Sequence, residues 1–359
     1  MFRVSLLTVR KTLNTHALHM PLLVNRRLLK NSGIELNLCY RLSDGVFDAD
    51  AVIFNSKYFI SPCWNGPRSG IYPLLSAARK KAGRVLWFDT TDSTGTGQFD
   101  VLPYVDGYYK GHVLKNREDY LRKYYGERIY SDYYHSRFGV EEKAVHPEFP
   151  LPEKQHLKKI EIYWNPCLGD YGNYAPLFYR LRNASDIFFF RTISFTPPGK
   201  ERTRDVSCRI GVRYMRDTVR FHREKIVEML KKRFNLNMDK VSFREYLREL
   251  RRSKIGVSPF GSGEFAYRDY EIIAAGAMLL KPDLSHLATW PDLYGPGLTY
   301  VPFKWDFSDL AEAVELCLQG KKRLEIASRA QTLYKKYLYS REGQEEFCAR
   351  FEKIVKGHV

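Results

Sequence analysis

Paired cysteines are missing from this chain. Six cysteines, at positions 39, 63, 167, 208, 317 and 348, stand singly with no Cys-x-x-Cys between them. That pattern argues against a zinc site or a dithiol redox centre. Long apolar runs are missing too. Nothing approaches the ~18 residues of a membrane span, and the opening MFRVSLLTVRKTLN has too short an apolar core for a signal peptide. A cytoplasmic location is the default expectation. No Gly-x-x-x-x-Gly-Lys-Ser/Thr occurs, which argues against a P-loop kinase. No Gly-x-Gly-x-x-Gly follows the first strand, which argues against a nicotinamide dehydrogenase. A Gly-x-Ser-x-Gly elbow is absent as well. So are internal repeats, low-complexity segments and the RNP, KH and zinc-finger patterns, and nucleic acid is not an expected partner.

What the chain does have is positive charge. The formal net charge is +17 over 359 residues. Such a balance predicts anionic partners, from nucleotide phosphates to an anionic membrane face. The basic residues are spread rather than gathered in a tail, and most blocks fall on predicted helix faces. Peripheral contact with an anionic membrane is expected through a helix at 16–31. There Arg26, Arg27 and Lys30 stand beside Leu18, Leu22, Leu28 and Leu29.

The length calls for two domains. Strands at 3–9, 35–40, 51–55 and 85–88 alternate with helices at 16–31 and 69–82. Short apolar strands in a βαβ rhythm indicate a parallel sheet covered on both faces. Residues 90–97, TTDSTGTG, form a loop by composition. A strand follows at 105–109, the tyrosine-rich 120–135 has no clear assignment, and the proline-bearing 141–159 reads as a surface connection. Strands are expected at 160–164 and 188–190, around a loop NPCLGDYGNYAP. The second unit opens with a strand at 206–212 and a helix at 218–234 behind Asp217. A helix at 242–253 begins with Ser242 and Glu245 in capping-box spacing. The domains are placed at 1–160, 205–330 and a helical tail 331–359, with 161–204 connecting.

The richest stretch is 253–283, SKIGVSPFGSGEFAYRDYEIIAAGAMLLKPD. It reads as strand, glycine-broken loop, helix and strand, with Gly276 closing the helix. Gly261 and Gly263 open a helix whose positive end suits a phosphate. Arg268, Glu271, Ala275, Gly276 and Leu279 fit a pattern of Arg, two residues, Glu, then Ala-Gly and a small apolar strand. In this the chain resembles GT-B glycosyltransferases, most nearly the spore-maturation-protein type. The specific match spans roughly residues 205–283. Retaining members separate two glutamates by seven residues; here Glu264 and Glu271 are separated by six.

The resemblance implies an α/β fold of two Rossmann-like domains facing a cleft, with a C-terminal helix returning to the first. It implies a metal-independent glycosyltransferase of polysaccharide biosynthesis. A nucleoside-diphosphate sugar would be its substrate, with no cofactor, a saccharide or lipid-linked glycan its acceptor, and retention its outcome. Donor contacts are expected from Arg209, Gly211 and Arg213 after the strand opening the second domain, and from Gly261, Gly263, Glu264 and Arg268. Glu271 would accept from the ribose hydroxyls. In the first domain, Asn14, Thr15 and His16 lie at a strand-to-helix turn, and His16 is a candidate base or donor contact. Asp89 and Asp92 follow the strand 85–88; either is a candidate base for an acceptor hydroxyl. His286 and Asp292 read as loop residues. The rival reading is a non-catalytic binder of an anionic polymer, nucleic acid or acidic glycan.

Overall fold

The computed structural model describes residues 1–144, 146, 148–170, 175–199, 201–234, 236 and 239–357. Two parallel sheets and a two-stranded link organise them. The first sheet holds β1 (Phe2–Leu7), β2 (Ile34–Cys39), β3 (Ala51–Asn55), β4 (Arg84–Asp89) and β5 (Gly107–Lys110). After β6 (His112–Leu114), which lies outside it, β7 (Ile160–Ile162) completes the sheet. Its order is β2-β1-β3-β4-β5-β7, all parallel. β3 is buried at every position, as expected for a parallel strand covered on both faces. The second sheet contains β8 (Arg204–Ser207), β9 (Ser253–Val257) and β10 (Met278–Pro282), then, after β11 (Leu287–Thr289), β12 (Val301–Phe303). It runs β12-β10-β9-β8, again parallel.

β6 and β11 pair antiparallel, Leu114 opposite Leu287 and His112 opposite Thr289. The link therefore stitches the first half of the chain to the second. The C-terminal helix Arg341–Lys356 returns to the first sheet, where Arg350 donates to the carbonyls of Tyr163 and Ile162. One hydrophobic cluster, containing Val4, Leu86, Tyr270 and Phe351, runs through both halves. Two parallel α/β units thus face one another across a cleft.

Several elements differ from the sequence reading. The first helix is Leu13–Val24, capped by Thr12, and breaks at Asn25 before Arg26–Asn31. Leu18, Leu22 and Leu29 are buried in the core. Leu28 is partly buried against the same core, and Arg26, Arg27 and Lys30 are exposed beside it. Residues 188–190 are not a strand: a 3-10 turn covers Asp186–Phe188 and Phe190 is exposed. Part of the loop expected before it, 171–174, lies outside the described residues. The tyrosine-rich stretch passes through 3-10 turns at Arg117–Leu121 and Tyr125–Glu127 into the helix Ile129–Phe138. This helix falls inside the range assigned to the first domain, yet its Ser131 and Tyr134 bond Thr218 and His222 of the helix Asp217–Lys231. That second helix is not capped by Asp217. The Glu142 carboxylate accepts from the Asp217 and Thr218 amides at 2.8 and 3.2 Å, a service no local pattern could reveal. The capping box of Ser242 and Glu245 forms as read.

Candidate active site between the domains

A cavity of about 550 Å³ lies between the two sheets. Its walls come from loops at the carboxyl ends of parallel strands, where open sheets bind ligands. The first domain supplies 11–14 after β1, 90–92 after β4, and Gly111 with His112. The second supplies Tyr214, Arg223, 261–263 and 265–267. Tyr163, Trp164 and Tyr270 are aromatic lining.

The turn after β1 is bent sharply. Lys11 has φ 69°, a left-handed conformation uncommon for a residue with a side chain. Its amide donates to Asn183 Oδ1 and its carbonyl accepts from the Tyr179 hydroxyl, both at 2.7 Å. These bonds hold the bend and turn Thr12 and Asn14 towards the cavity. The loop after β4 is fixed from beneath. Lys110 Nζ, fully buried, reaches Asp89 Oδ2 at 2.7 Å, Thr91 Oγ1 at 2.7 Å and the Thr96 carbonyl at 2.9 Å. Asp92 therefore sits on a braced loop. It is the one carboxylate among the described lining residues, exposed, with Asn14 Nδ2 donating to its Oδ1 at 2.7 Å.

On the opposite wall Arg223 lies across two glycine turns. Its guanidinium donates to the carbonyls of Phe260 and Gly211, each at 2.9 Å, and stacks over Tyr214. The glycine loop begins on a buried base. Asp269 accepts from the Ala266 amide and the Tyr294 hydroxyl and faces Lys281. This carboxylate caps the helix Tyr267–Ala274 from inside the domain. Cations and oriented backbone beside a cavity are what a diphosphate requires.

The expected site residues divide. Asp92, Gly261 and Gly263 line the cavity. Gly211 is tied to it through Arg223. Asp89 does not face the crevice. Burial would raise its pKa, but Lys110, Tyr108 and the Thr91 amide outweigh burial and hold the carboxyl below its ordinary value. Its partners make it a brace. His16 also turns away, bonding Asn183 Oδ1 at 3.0 Å and packing on Tyr179 and Phe189. Burial, only partly offset by that bond, lowers its pKa to about 4, so the ring is neutral at pH 7.

Glu264 is fully buried behind the glycine loop. It accepts from the Thr94 amide at 2.9 Å and lies 3.6 Å from His112 and 4.0 Å from His286. Burial pushes its carboxyl up, but contacts with the two imidazoles outweigh that and hold it well below the usual range. It clasps the two domains together instead of lining the cavity. His286, read as a loop residue, is half of that clasp. Arg209 is paired with Glu249, Nη2 to Oε2 2.7 Å, and Arg268 donates to the Arg209 carbonyl at 2.8 Å. Neither is among the described lining residues. Arg213 is exposed on the same turn. Glu271, half-buried, has its pKa raised to about 7 by burial, with Arg268 pulling the other way.

Arg223, His112, Tyr214 and Tyr267 were missed. Arg223 lies mid-helix without a motif around it, and only the fold brings it over Gly261. His112 carried a usable signal: it is a polar residue just past the expected strand 105–109, at a carboxyl end. Among the described residues, no group of three or more His, Cys, Asp or Glu is arranged to hold a metal ion, and no helix is long and apolar enough to cross a membrane.

No protein-family model matches this chain, and no curated protein sequence matches it. Solved structures give distant likenesses. An alpha-glucosyltransferase in complex with UDP aligns with 99% of this chain and 100% of its own, at 11% identity and a TM-score of 0.43. Anabaena Alr3699/HepE in complex with UDP and glucose aligns over 100% of both chains, at 8% identity and a TM-score of 0.44. A glycosyltransferase from Rickettsia africae ESF-5 aligns over 99% of both, at 10% identity and a TM-score of 0.44.

Proposed function

We propose that this chain is a glycosyltransferase that moves a sugar from a nucleoside-diphosphate sugar to a hydroxyl of a saccharide or lipid-linked glycan. One observation carries the reading. The interdomain cavity is lined both by a glycine loop beneath Arg223 from the second domain and by the carboxylate of Asp92 from the first. The donor diphosphate lies against 261–263 with Arg223 meeting its charge, and the acceptor enters on the Asp92 side. Asp92 takes the proton as the acceptor oxygen bonds the anomeric carbon. The bond from that carbon to the diphosphate oxygen breaks, and the nucleoside diphosphate leaves with the electron pair. Positive charge placed where the leaving group develops negative charge lowers the barrier. Single displacement of this kind inverts the anomeric centre. Retention was motivated by Glu264 and Glu271, and neither lines the cavity. Tyr179, Tyr214 and Tyr267, partly exposed at the cavity, suit the apolar faces of a sugar ring.

Melting curves with UDP, GDP, ADP, CDP and TDP, followed by calorimetry, test this reading. One of them is expected to stabilise the protein, because a ligand bound only by the folded state raises stability by mass action. Arg223→Ala is expected to weaken that binding by ~1.5–3 kcal/mol, the range for hydrogen bonds to charged groups. No melting shift with any of the five at millimolar concentration overturns the proposal.

A further inference from the structure

Asp92 is gripped from both domains. Asn14, on the helix after β1, lies between Asp92 and the second domain. Its Nδ2 donates to the Thr90 carbonyl at 2.8 Å and to Asp92 Oδ1 at 2.7 Å. A backbone carbonyl only accepts, so the amide nitrogen must face it, and the orientation of Asn14 is fixed. Its Oδ1 is then left to accept, and the Tyr267 hydroxyl donates to it at 2.8 Å. Tyr267 is the first residue of the helix that follows the glycine loop. A directed chain thus runs from the donor-side helix, through one amide, to the carboxylate. Asp92 Oδ2 has no hydrogen-bond or ion-pair partner among the described residues. One oxygen is held and the other is open.

We propose that Tyr267 and Asn14 form a positioning relay through which the second domain orients the Asp92 carboxylate. The proposal rests on the reading of Asp92 as the base. Neither residue exchanges a proton with substrate; each acts through Asp92. The relay ties the base to the segment that holds the donor loop, so Asp92 is in place only when the two domains are seated. A carboxylate on an exposed loop would otherwise sample several rotamers, and misplacement of a reacting group by about 1 Å can cost ~100-fold in rate.

The test uses the full chain with ¹³C-carboxyl-labelled aspartate, and the Asp92 resonance is assigned by its loss in Asp92→Asn. Tyr267→Phe keeps the ring and removes only the hydroxyl, and Asn14→Ser removes the amide from within the first domain. Both are expected to displace the Asp92 resonance in ligand-free protein at pH 7, with the thermal melt confirming that each is folded. With the nucleotide sugar whose nucleoside diphosphate stabilises wild type, Tyr267→Phe is expected to lower kcat by about 10- to 100-fold while donor affinity by calorimetry is retained. An Asp92 resonance unmoved by Tyr267→Phe overturns the relay, whether or not any nucleotide binds. Absence of nucleotide binding to wild type overturns the functional reading instead, and the resonance test is unaffected by it.

Discussion

A Cβ placed on Gly263 would lie 1.8 Å from the carbonyl oxygen of Asp92. The glycine loop of the second domain is therefore in main-chain contact with the loop that carries the candidate base. Backbone cannot move aside as a flexible side chain can, so Gly263→Ala must separate the two loops. The expected loss is ~1–3 kcal/mol, the usual range for overpacking, together with weaker nucleoside-diphosphate binding. Gly261→Ala is the control. Its Cβ would meet Arg223 Nη2 at 3.2 Å and the Tyr214 hydroxyl at 3.7 Å, both ends of side chains that can shift. Urea unfolding of the two variants checks this, and equal stabilities would mean that the seam relaxes without cost.

Asp92→Asn keeps the shape of the side chain and removes its capacity to take a proton. General base catalysis contributes roughly 10²- to 10⁴-fold, so turnover is expected to fall by that factor. Donor affinity should be retained, because the proposed diphosphate contacts are Arg223 and the 261–263 backbone, which Asp92→Asn leaves in place. Asp89→Asn would not show this separation, since Asp89 lies beneath the loop and its loss unseats Lys110. Rates and calorimetric affinities of the two variants distinguish the roles. Full turnover in Asp92→Asn would remove Asp92 from the chemistry.

The alternation of apolar strands and amphipathic helices made both parallel sheets legible, and the strand–glycine–helix–strand unit at 253–283 located one wall of the cavity. Local signals stopped there. Asp89 and Asp92 are three residues apart on the same strand-to-loop turn. Composition could not say which one meets the buried Lys110, because that lysine comes from the neighbouring strand β5. Glu264 looked like a ligand residue because it follows a glycine loop. Its partners Thr94 and His112 are some 150 or more positions away in sequence, and only the closed seam brings them to it. The leucines at 18, 22 and 29 show the converse case: helical spacing marks them as a buried stripe, and they lie in the core.

The buried pair of Lys110 and Asp89 supplies a stability prediction. Lys110→Met leaves a carboxylate buried without its cation. Breaking such a pair typically costs about 3–5 kcal/mol, and denaturant unfolding near neutral pH should read a loss of that order. The acid response follows from the sign of the Asp89 shift. Its folded pKa lies below the ordinary 3.8. The stability it contributes is therefore fully present above that value and is lost as pH falls through the lower folded one. Without Lys110, burial is opposed only by the Tyr108 and Thr91 hydrogen bonds, and the Asp89 pKa rises from its lowered value. The acid-unfolding midpoint of Lys110→Met is thus expected at higher pH than that of wild type. An unchanged midpoint and a loss under about 1 kcal/mol would mean that water reaches the pair.

Glu271 carries the opposite sign. Burial raises its pKa from 4.5 to about 7, although Arg268 beside it favours the charged form. Between those two values the folded protein keeps a proton that the unfolded chain has released. Stability therefore falls as pH rises from about 4.5 to about 7, because the unfolded state binds fewer protons there. Glu271→Gln keeps the shape and removes the titration. The variant is expected to match wild type near pH 5, where Asp89 and Glu264 are still ionised, and to be the more stable of the two at pH 8. Urea unfolding at both pH values measures the difference. A stability gap that does not grow with pH would show that Glu271 is already ionised in the folded protein, held by Arg268 as a structural ion pair. Such an ion pair would make Glu271→Gln destabilising at both pH values, the reverse of the outcome that burial predicts.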